Sequence, residues 1–440
     1  MNSPALIGLG MFALMLLMMM VRVPIAAAMF IPGALGYWAI NNEMALFNLL
    51  KGSAVARLTV YELSVIPLFL LMGNFATQGG LSRDLFRAAS AFIGHVRGGL
   101  AMAAILSAAA FGAVCGSSVA TSATITQVAY PEMKAHGYLG RLSTATLATG
   151  GTLGILIPPS VPLVVYAILT EQNIAKLFAA AIVPGILAAL GYMAVISVYC
   201  RLRPDMAPPT AQATRTERWN ALWKIWPILM IFLVVFGGIY GGIFSPTEGA
   251  AIGALLTFVV GLARGELKGA GMRQALLSTA ETSAMVFMIF LGADMMNAAL
   301  ALSAMPSLVA DWVTHLPVAP IAVVFAVLLL YVVLGCVMDE LSMLLLTIPV
   351  IFPAIMQLDL WGLPPDLKAI WFGILVLMTV GIGLIAPPVG LNVYVVNNLA
   401  KEVPMSETYK GVLPFLVWDA LRLLLLLFVP GVCLWAVRMM

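Results

Sequence analysis

Charge is scarce in this sequence: 9% of its 440 residues are Asp, Glu, Lys or Arg and 62% are hydrophobic, where soluble domains carry roughly 25% charged residues. That excludes an ordinary soluble domain and leaves a chain that crosses a membrane many times. The net charge of +3 says nothing of nucleic acid. Histidine is nearly absent, and His95, His136 and His315 fall in separate loops. Neither a His-rich metal motif nor a nucleophile with a positioned base is found, which argues against an enzyme. The four cysteines, Cys115, Cys200, Cys336 and Cys433, lie far apart in apolar runs with no C-x-x-C pair, so a metal or disulfide framework has no support. The first residues, "MNSPALIGLGMFALMLLMMMVRVP", lack the basic n-region and small-residue cleavage site of a signal peptide and read as a first membrane helix.

What the sequence does have is length in uncharged runs. Stretches of the roughly 20 apolar residues that span a bilayer core recur from Pro4–Val21 to the C-terminal "GVLPFLVWDALRLLLLLFVPGVCLWAV". With the N-terminus outside, Arg22, Arg83, Arg87, Arg97, Lys134, Arg141, Arg201, Arg203 and the later basic residues through Lys410 gather on the cytoplasmic side. Only Lys51, Arg57, Lys176, Lys368 and Arg438 stay on the other, a skew that satisfies the positive-inside rule. This orientation requires residues 98–131 and 320–353 to enter and leave by the same side, as re-entrant hairpins. The most polar stretch, "RLRPDMAPPTAQATRTERWNALWK" over residues 201–224, divides the chain near its midpoint. It reads as a cytoplasmic linker between residues 1–200 and 225–440.

The two halves echo each other. "GILIPPSVPLVVY" from Gly154 matches "GLIAPPVGLNVYV" from Gly383, pairing Pro158 with Pro387 and Pro159 with Pro388. Each half then holds a hairpin, a broken helix (142–170 or 368–398) and an odd number of crossings, so the second half is inserted upside down. The expected fold is all-α and polytopic, with two inverted-topology repeats, about ten transmembrane helices, two re-entrant hairpins and two broken helices. Glycine and proline weaken a helix, and a break inside the membrane is tolerated only where protein or a water-filled cavity covers it. Transporters use such breaks, because freed carbonyls and half-helix ends bind cations and anionic groups.

"IPLFLLMGNFATQGGLSRDLFRAASAFIGHVRGGLAMAAI", "FGAVCGSSVATSATI", "PEMKAHGY", "GILIPPSVPLVVY", "SPTEGAAIGAL", "LGCVMDELSMLLLTIPVIFPAI" and "GIGLIAPPVGLNVYVVNNLA" together resemble the large membrane subunit of tripartite ATP-independent periplasmic (TRAP) transporters. The resemblance covers nearly the whole chain, in order. It implies a multi-pass protein of a bacterial inner membrane that imports an organic acid with Na+ as coupling ion and no other cofactor. It also implies an elevator mechanism, a separate small four-helix membrane subunit and a periplasmic solute-binding protein. C4-dicarboxylates, sialic acid and other carboxylates all fit as substrate. Ala386 departs from the threonine common before the second Pro-Pro pair, leaving a backbone carbonyl as donor there, and the first hairpin is richer in hydroxyls than expected.

Within that frame a first Na+ site is expected from Ser117, Ser118 and Thr121 with Gly154, Ile157 and Pro158. A second is expected from Gly335 and Asp339 with Gly383, Ala386, Pro387 and Val389, and substrate contacts from Ser118, Ser122 and Asn392. Each has a plainer reading. The small residues of the first hairpin also suit close helix packing, and the prolines could be simple kinks. Asp339, at a hairpin tip, reads as functional because ionised groups deep in a membrane are costly, whereas Glu340 could face headgroups. Asp419 and Arg422, three apart on a helix, read as mutually neutralising. Glu62, Asp84 and Glu248 read as interfacial, and Met15 with Met18–Met20 as lipid-facing. A self-sufficient Na+- or H+-coupled dicarboxylate carrier of the wider ion transporter superfamily is the alternative function.

The topology is tested by cysteine labelling. Gln212→Cys should be inaccessible to an impermeant thiol reagent added to intact spheroplasts and should label only after permeabilisation; labelling from outside would invert the assignment.

Overall fold

The computed structural model describes residues 3–315 and 317–440, and among them every regular element is a helix. Helix is forced on lipid-exposed segments, because it alone satisfies each backbone N–H and C=O within one segment. Seven of the described helices are long and apolar enough to span a bilayer, nine if two bent pairs are counted as single spans, and four shorter apolar helices accompany them. One bent pair, Glu43–Leu58 with Tyr61–Gln78, turns by 55°.

The chain turns back on itself at both expected hairpins. Gly99–Cys115 is followed by Ser118–Ala135, and Pro320–Gly335 by Glu340–Gln357. Each second arm continues past the proline expected to end it, through Pro131 to Ala135 and through Pro353 to Gln357. A proline removes one ladder N–H, and here flanking turns carry the helix on. The first broken helix consists of Gly140–Gly151 and Leu153–Leu156, then Val161–Leu169, with a 41° bend. The second consists of Pro365–Gly383 and Leu391–Leu399. Both Pro-Pro peptide bonds are cis.

Two packing groups result. In one, Ile25–Ile40 lies along Gly269–Leu302, and Val65–Gln78 packs between Gly269–Leu302 and Pro246–Ala263. Glycine lets these backbones approach: a Cβ at Gly33 would sit 2.7 Å from the Met296 nitrogen, and one at Gly292 would meet the Ala26 carbonyl. Ser3–Met20 packs on Ile25–Ile40, which buries Met15 completely. The lipid-facing reading of Met15 is therefore corrected, because that face of the first helix is covered by the second. Arg215–Tyr240 begins inside the expected 201–224 linker, whose residues 215–224 are helical from the Thr214 capping box onward; it presents Trp219, Trp223 and Trp226 outward beside Arg215, Arg218 and Lys224, as in an interfacial aromatic belt.

The other group gathers the hairpins and broken helices with Ile174–Leu202 and Met405–Phe428. Its centre is Pro365–Gly383, 83% of whose spanning window is buried against 33% for Arg215–Tyr240. Asp419 and Arg422 form an interior ion pair at 2.7 Å. The Tyr192 hydroxyl faces both carboxylate oxygens of Asp419 at 2.8 Å and lies 3.2 Å from Thr152 Oγ1, so this pair also braces the start of the first break. Lys368, expected in a loop, is buried and caps the end of the second hairpin by donating to the Met356 and Leu358 carbonyls. At the edge of this group, Tyr130 and Lys134 of the first hairpin clasp Glu402 at 2.9 and 2.6 Å. Lys134 first, then the local backbone amide and Tyr130, hold the Glu402 carboxyl down to about 2.

Gly33→Leu should separate the crossing helices and cost about 1–3 kcal/mol by overpacking, while Gly10→Leu, whose Cβ meets nothing within 4 Å, should be neutral. Thermal unfolding of the two purified variants reads the difference; equal midpoints would contradict the close crossing.

Candidate transport site

Each hairpin tip is hydrogen-bonded to the break in its own half. The first hairpin helix stops because Gly116 adopts a left-handed conformation, φ 67°, the usual glycine ending of a helix. Its carbonyl then accepts from Val161 N at 3.3 Å, just after the first Pro-Pro pair. In the second half the Cys336 carbonyl accepts from Gly390 N at 3.1 Å, just after the second pair. Val161 and Gly390 are corresponding positions of the two matched stretches, so one junction is built twice.

The prolines decide which carbonyls are freed. Lacking an N–H, Pro158 and Pro159 leave the carbonyls of Gly154 and Ile155 without their helical donors. Ser160 Oγ donates to Ile155 O at 2.6 Å. In the second half, Ala386 N donates to Gly383 O at 3.2 Å and Asn392 N to Leu384 O at 3.0 Å. The first junction thus keeps the Gly154 carbonyl without its helical donor, whereas the corresponding carbonyl of the second junction is taken.

Around Gly154 the expected residues of the first site come together. A Cβ there would stand 2.6 Å from Thr121 Oγ1 and 2.7 Å from the Ser117 carbonyl oxygen. Thr121 Oγ1 is buried with no hydrogen-bond partner, and just beyond, the chain leaves the helix at the extended Ile157 and bends through Pro158. One turn away, a Cβ at Gly151 would lie 2.9 Å from the Ser118 carbonyl and collide with the Ser122 hydroxyl. Asn392 Nδ2 reaches across from the second broken helix to Ser118 Oγ at 2.6 Å and to Ala148 O at 3.2 Å. Ser122 Oγ and Asn392 Oδ1 remain buried without partners. Ser118, Ser122 and Asn392 thus share one polar region, with acceptor or donor capacity unspent.

The second expected set is brought together in part. Gly335 lies backbone to backbone on Gly383, a Cβ on the former reaching 3.2 Å from the Gly383 Cα. The nearby carbonyls are engaged by protein donors: Cys336 Sγ donates to Pro387 O at 3.3 Å, and the Tyr409 hydroxyl lies 2.9 Å from Pro388 O and 2.6 Å from Val389 O. Ala386 is buried beside them. Asp339 serves as helix N-cap, accepting from Leu341 N at 3.2 Å, Ser342 N at 3.1 Å and Ser342 Oγ. It borders a mostly apolar cavity of about 760 Å³ between the two packing groups, lined by Pro24, Phe30, Met285 and Ile289 among others.

Glu340 corrects the sequence reading. It does not face headgroups: it is 5% exposed, and Ser117 Oγ of the opposite hairpin donates to its Oε1 at 3.4 Å. Nothing in the local pattern distinguishes it from Asp339, since only the packing of one hairpin tip on the other decides which carboxylate turns inward.

The comparisons agree with this architecture. The family model described as "Tripartite ATP-independent periplasmic transporter, DctM component" matches residues 12–432. The chain is 34% identical over 377 residues to the C4-dicarboxylate TRAP transporter large permease protein DctM of Pseudomonas aeruginosa, covering 85% of this chain and 86% of the relative. It is 31% identical to the isethionate TRAP transporter permease protein DctMQ of Oleidesulfovibrio alaskensis, covering 98% of this chain and 66% of that one. It is 27% identical to the sialic acid TRAP transporter large permease protein SiaM of Vibrio cholerae, covering 87% and 88%. Its fold resembles the solved YdaH transporter of Alcanivorax borkumensis, with a TM-score of 0.60 at 15% identity over 97% of this chain and 99% of that one. The efflux pump MtrF of Neisseria gonorrhoeae gives a TM-score of 0.56 at 13% identity, covering 89% and 85%.

The fold and the family together define a multi-pass membrane transporter permease, not an enzyme. More particularly, the chain belongs to the DctM family, the large permease subunit of bacterial TRAP transporters.

Gly154→Ala places a methyl 2.6 Å from Thr121 Oγ1 and 2.7 Å from the Ser117 carbonyl oxygen, tighter than van der Waals contact allows, so it should displace the hairpin tip and lower both the unfolding midpoint and uptake. Thr121→Val, which keeps the size and removes only the unpartnered hydroxyl, should unfold like wild type with solute uptake at least tenfold lower; wild-type uptake would remove Thr121 from the site.

Proposed function

We propose that this chain is the membrane-spanning part of a sodium-coupled importer of an organic acid delivered by a periplasmic solute-binding protein, working beside a separate small membrane subunit. The observation that carries the reading is the duplicated junction, Gly116 with Val161 and Cys336 with Gly390. A hairpin tip docked on a helix break in each half is what two inverted repeats lining a midplane site require. The hairpins and broken helices form the moving body of an elevator, and Ile25–Ile40, Val65–Gln78, Pro246–Ala263 and Gly269–Leu302 belong to its scaffold.

Sodium is a hard cation that favours oxygen ligands, and the first junction offers the Ser117 carbonyl, Thr121 Oγ1 and the Gly154 carbonyl with Ser118, Ile157 and Pro158 beside them. The second offers Gly335, Gly383, Ala386, Pro387 and Val389, with Tyr409 and Cys336 displaced on binding and Asp339 nearby. Ser118, Ser122 and Asn392 supply neutral hydrogen-bonding groups for a carboxylate between the tips. The named substrates of the relatives, C4-dicarboxylate, sialic acid and isethionate, support a small organic acid as cargo. The fused permease among them, named DctMQ, of which this chain covers 66%, supports a second membrane component.

Reconstitution tests coupling and partners together. The chain alone under a Na+ gradient should give no measurable uptake, and activity should appear when the small subunit and the binding protein are both added. Replacing Na+ by K+ or choline should abolish it. Robust uptake by the chain alone would favour a self-sufficient carboxylate carrier, and uptake indifferent to the cation would end the sodium assignment.

A further inference from the structure

Four charged side chains are buried among the described residues: Glu340, Lys368, Asp419 and Arg422. Asp419 and Arg422 neutralise each other, and Lys368 is capped by two carbonyls. Glu340 differs, because no Lys, Arg or His among the described residues forms an ion pair with it. Ser117 Oγ donates to its Oε1 at 3.4 Å and the amides of Ser118 and of Glu340 itself lie close to the carboxylate, but its Oε2 has no hydrogen-bond partner and no cation among the described residues offsets the charge. The neighbouring carboxylate cannot relieve it. Asp339 is already compensated by the donors of its own helix start, and its charge adds repulsion.

An ionised carboxylate removed from water without a counter-charge is strongly disfavoured. The groups around Glu340 show what would balance it. Ser117, which touches it, also presents its carbonyl oxygen to Gly154, and there Thr121 Oγ1 waits buried and unpartnered. Carboxylate, carbonyl and hydroxyl are all oxygen donors, a set suited to a hard cation. None of them can neutralise the carboxylate by itself.

We propose that Glu340 is the anionic ligand of a monovalent cation held between the two hairpin tips, completing the first cation site with Ser117, Thr121 and Gly154. This rests on the sodium-coupled reading above and adds to it a charged ligand contributed by the opposite half of the chain. Two consequences follow from its position. The loaded site is electrically neutral, so the cation sees more than backbone dipoles. And because Glu340 belongs to the second half of the chain while its co-ligands belong to the hairpin and broken helix of the first, occupancy ties the two halves together, so an empty site leaves an unbalanced charge between the tips.

The test compares wild type, Glu340→Gln and Glu340→Asp by two readouts. Thermal unfolding of the purified chain is titrated with NaCl against choline chloride at constant ionic strength, and Na+-dependent uptake is measured in proteoliposomes with the small subunit and binding protein present. Glu340→Gln should raise the Na+ concentration for half-effect at least tenfold in both, with uptake recovering at high Na+. Glu340→Asp, which keeps the charge but withdraws it by one methylene, should shift it three- to tenfold and decides the matter if the Gln variant does not fold. Unchanged half-effect concentrations in a wild type that responds to Na+ would overturn this inference alone. So would a Gln variant whose pH profile of uptake moves while its Na+ dependence does not, which would make Glu340 a proton carrier. A wild type indifferent to Na+ would overturn the sodium-coupled reading and this inference with it.

Discussion

The structure turns on the backbone carbonyls released where two pairs of prolines interrupt helices inside the membrane. A carbonyl that loses its helical donor in hydrocarbon has no water to turn to, so each must be met by protein, by a polar cavity or by a ligand. That constraint explains why the hairpins exist where they do. The tip of each is brought to its break by one backbone bond, from Val161 to Gly116 and from Gly390 to Cys336. It also explains the glycines: Gly112 packs on Gly154 and Gly335 on Gly383 with backbone atoms nearly in contact, and any side chain there would hold the tip away from the break.

Much of this is legible in the amino-acid sequence. The hairpins, the breaks and their correspondence follow from glycine and proline inside uncharged runs, because few other residues so consistently report backbone conformation. The interior pairing of Asp419 with Arg422 was readable from a spacing of three along one helix face. Ser118, named from the first hairpin, and Asn392, named from the second broken helix, lie 2.6 Å apart, so two residues chosen from separate stretches fall in one place.

What the sequence hid depends on which elements become neighbours. Pro365–Gly383 and Arg215–Tyr240 are both apolar enough to span a bilayer, yet the first is 83% and the second 33% buried over its window. In a soluble chain apolar means interior, but in lipid both faces are apolar and the pattern loses that meaning. Met15 was misplaced for this reason. Lys368 and Glu340 were hidden by the complementary ambiguity: a charge near the end of a run can point to headgroups or inward, and only partners from distant segments, the Met356 and Leu358 carbonyls or Ser117, decide it.

The two junctions share a skeleton but not a chemistry. In the first, buried hydroxyls crowd the break, with Thr121 and Ser122 unpartnered. In the second, Ala386 offers no hydroxyl, and a thiol and a phenol from Cys336 and Tyr409 hold the carbonyls of Pro387, Pro388 and Val389. The common backbone has a physical reason, because helix break, tip and connecting bond must occur together or the freed carbonyls are stranded. Side chains face no such joint constraint. The first junction thus holds open polar groups inside a closed backbone frame, while the second closes over its own carbonyls, and a cation would have to displace Tyr409 or Cys336 to reach them. Similar sequence at the two breaks therefore does not imply similar chemistry: the first leaves buried hydroxyls unpartnered, and the second engages its carbonyls with protein donors.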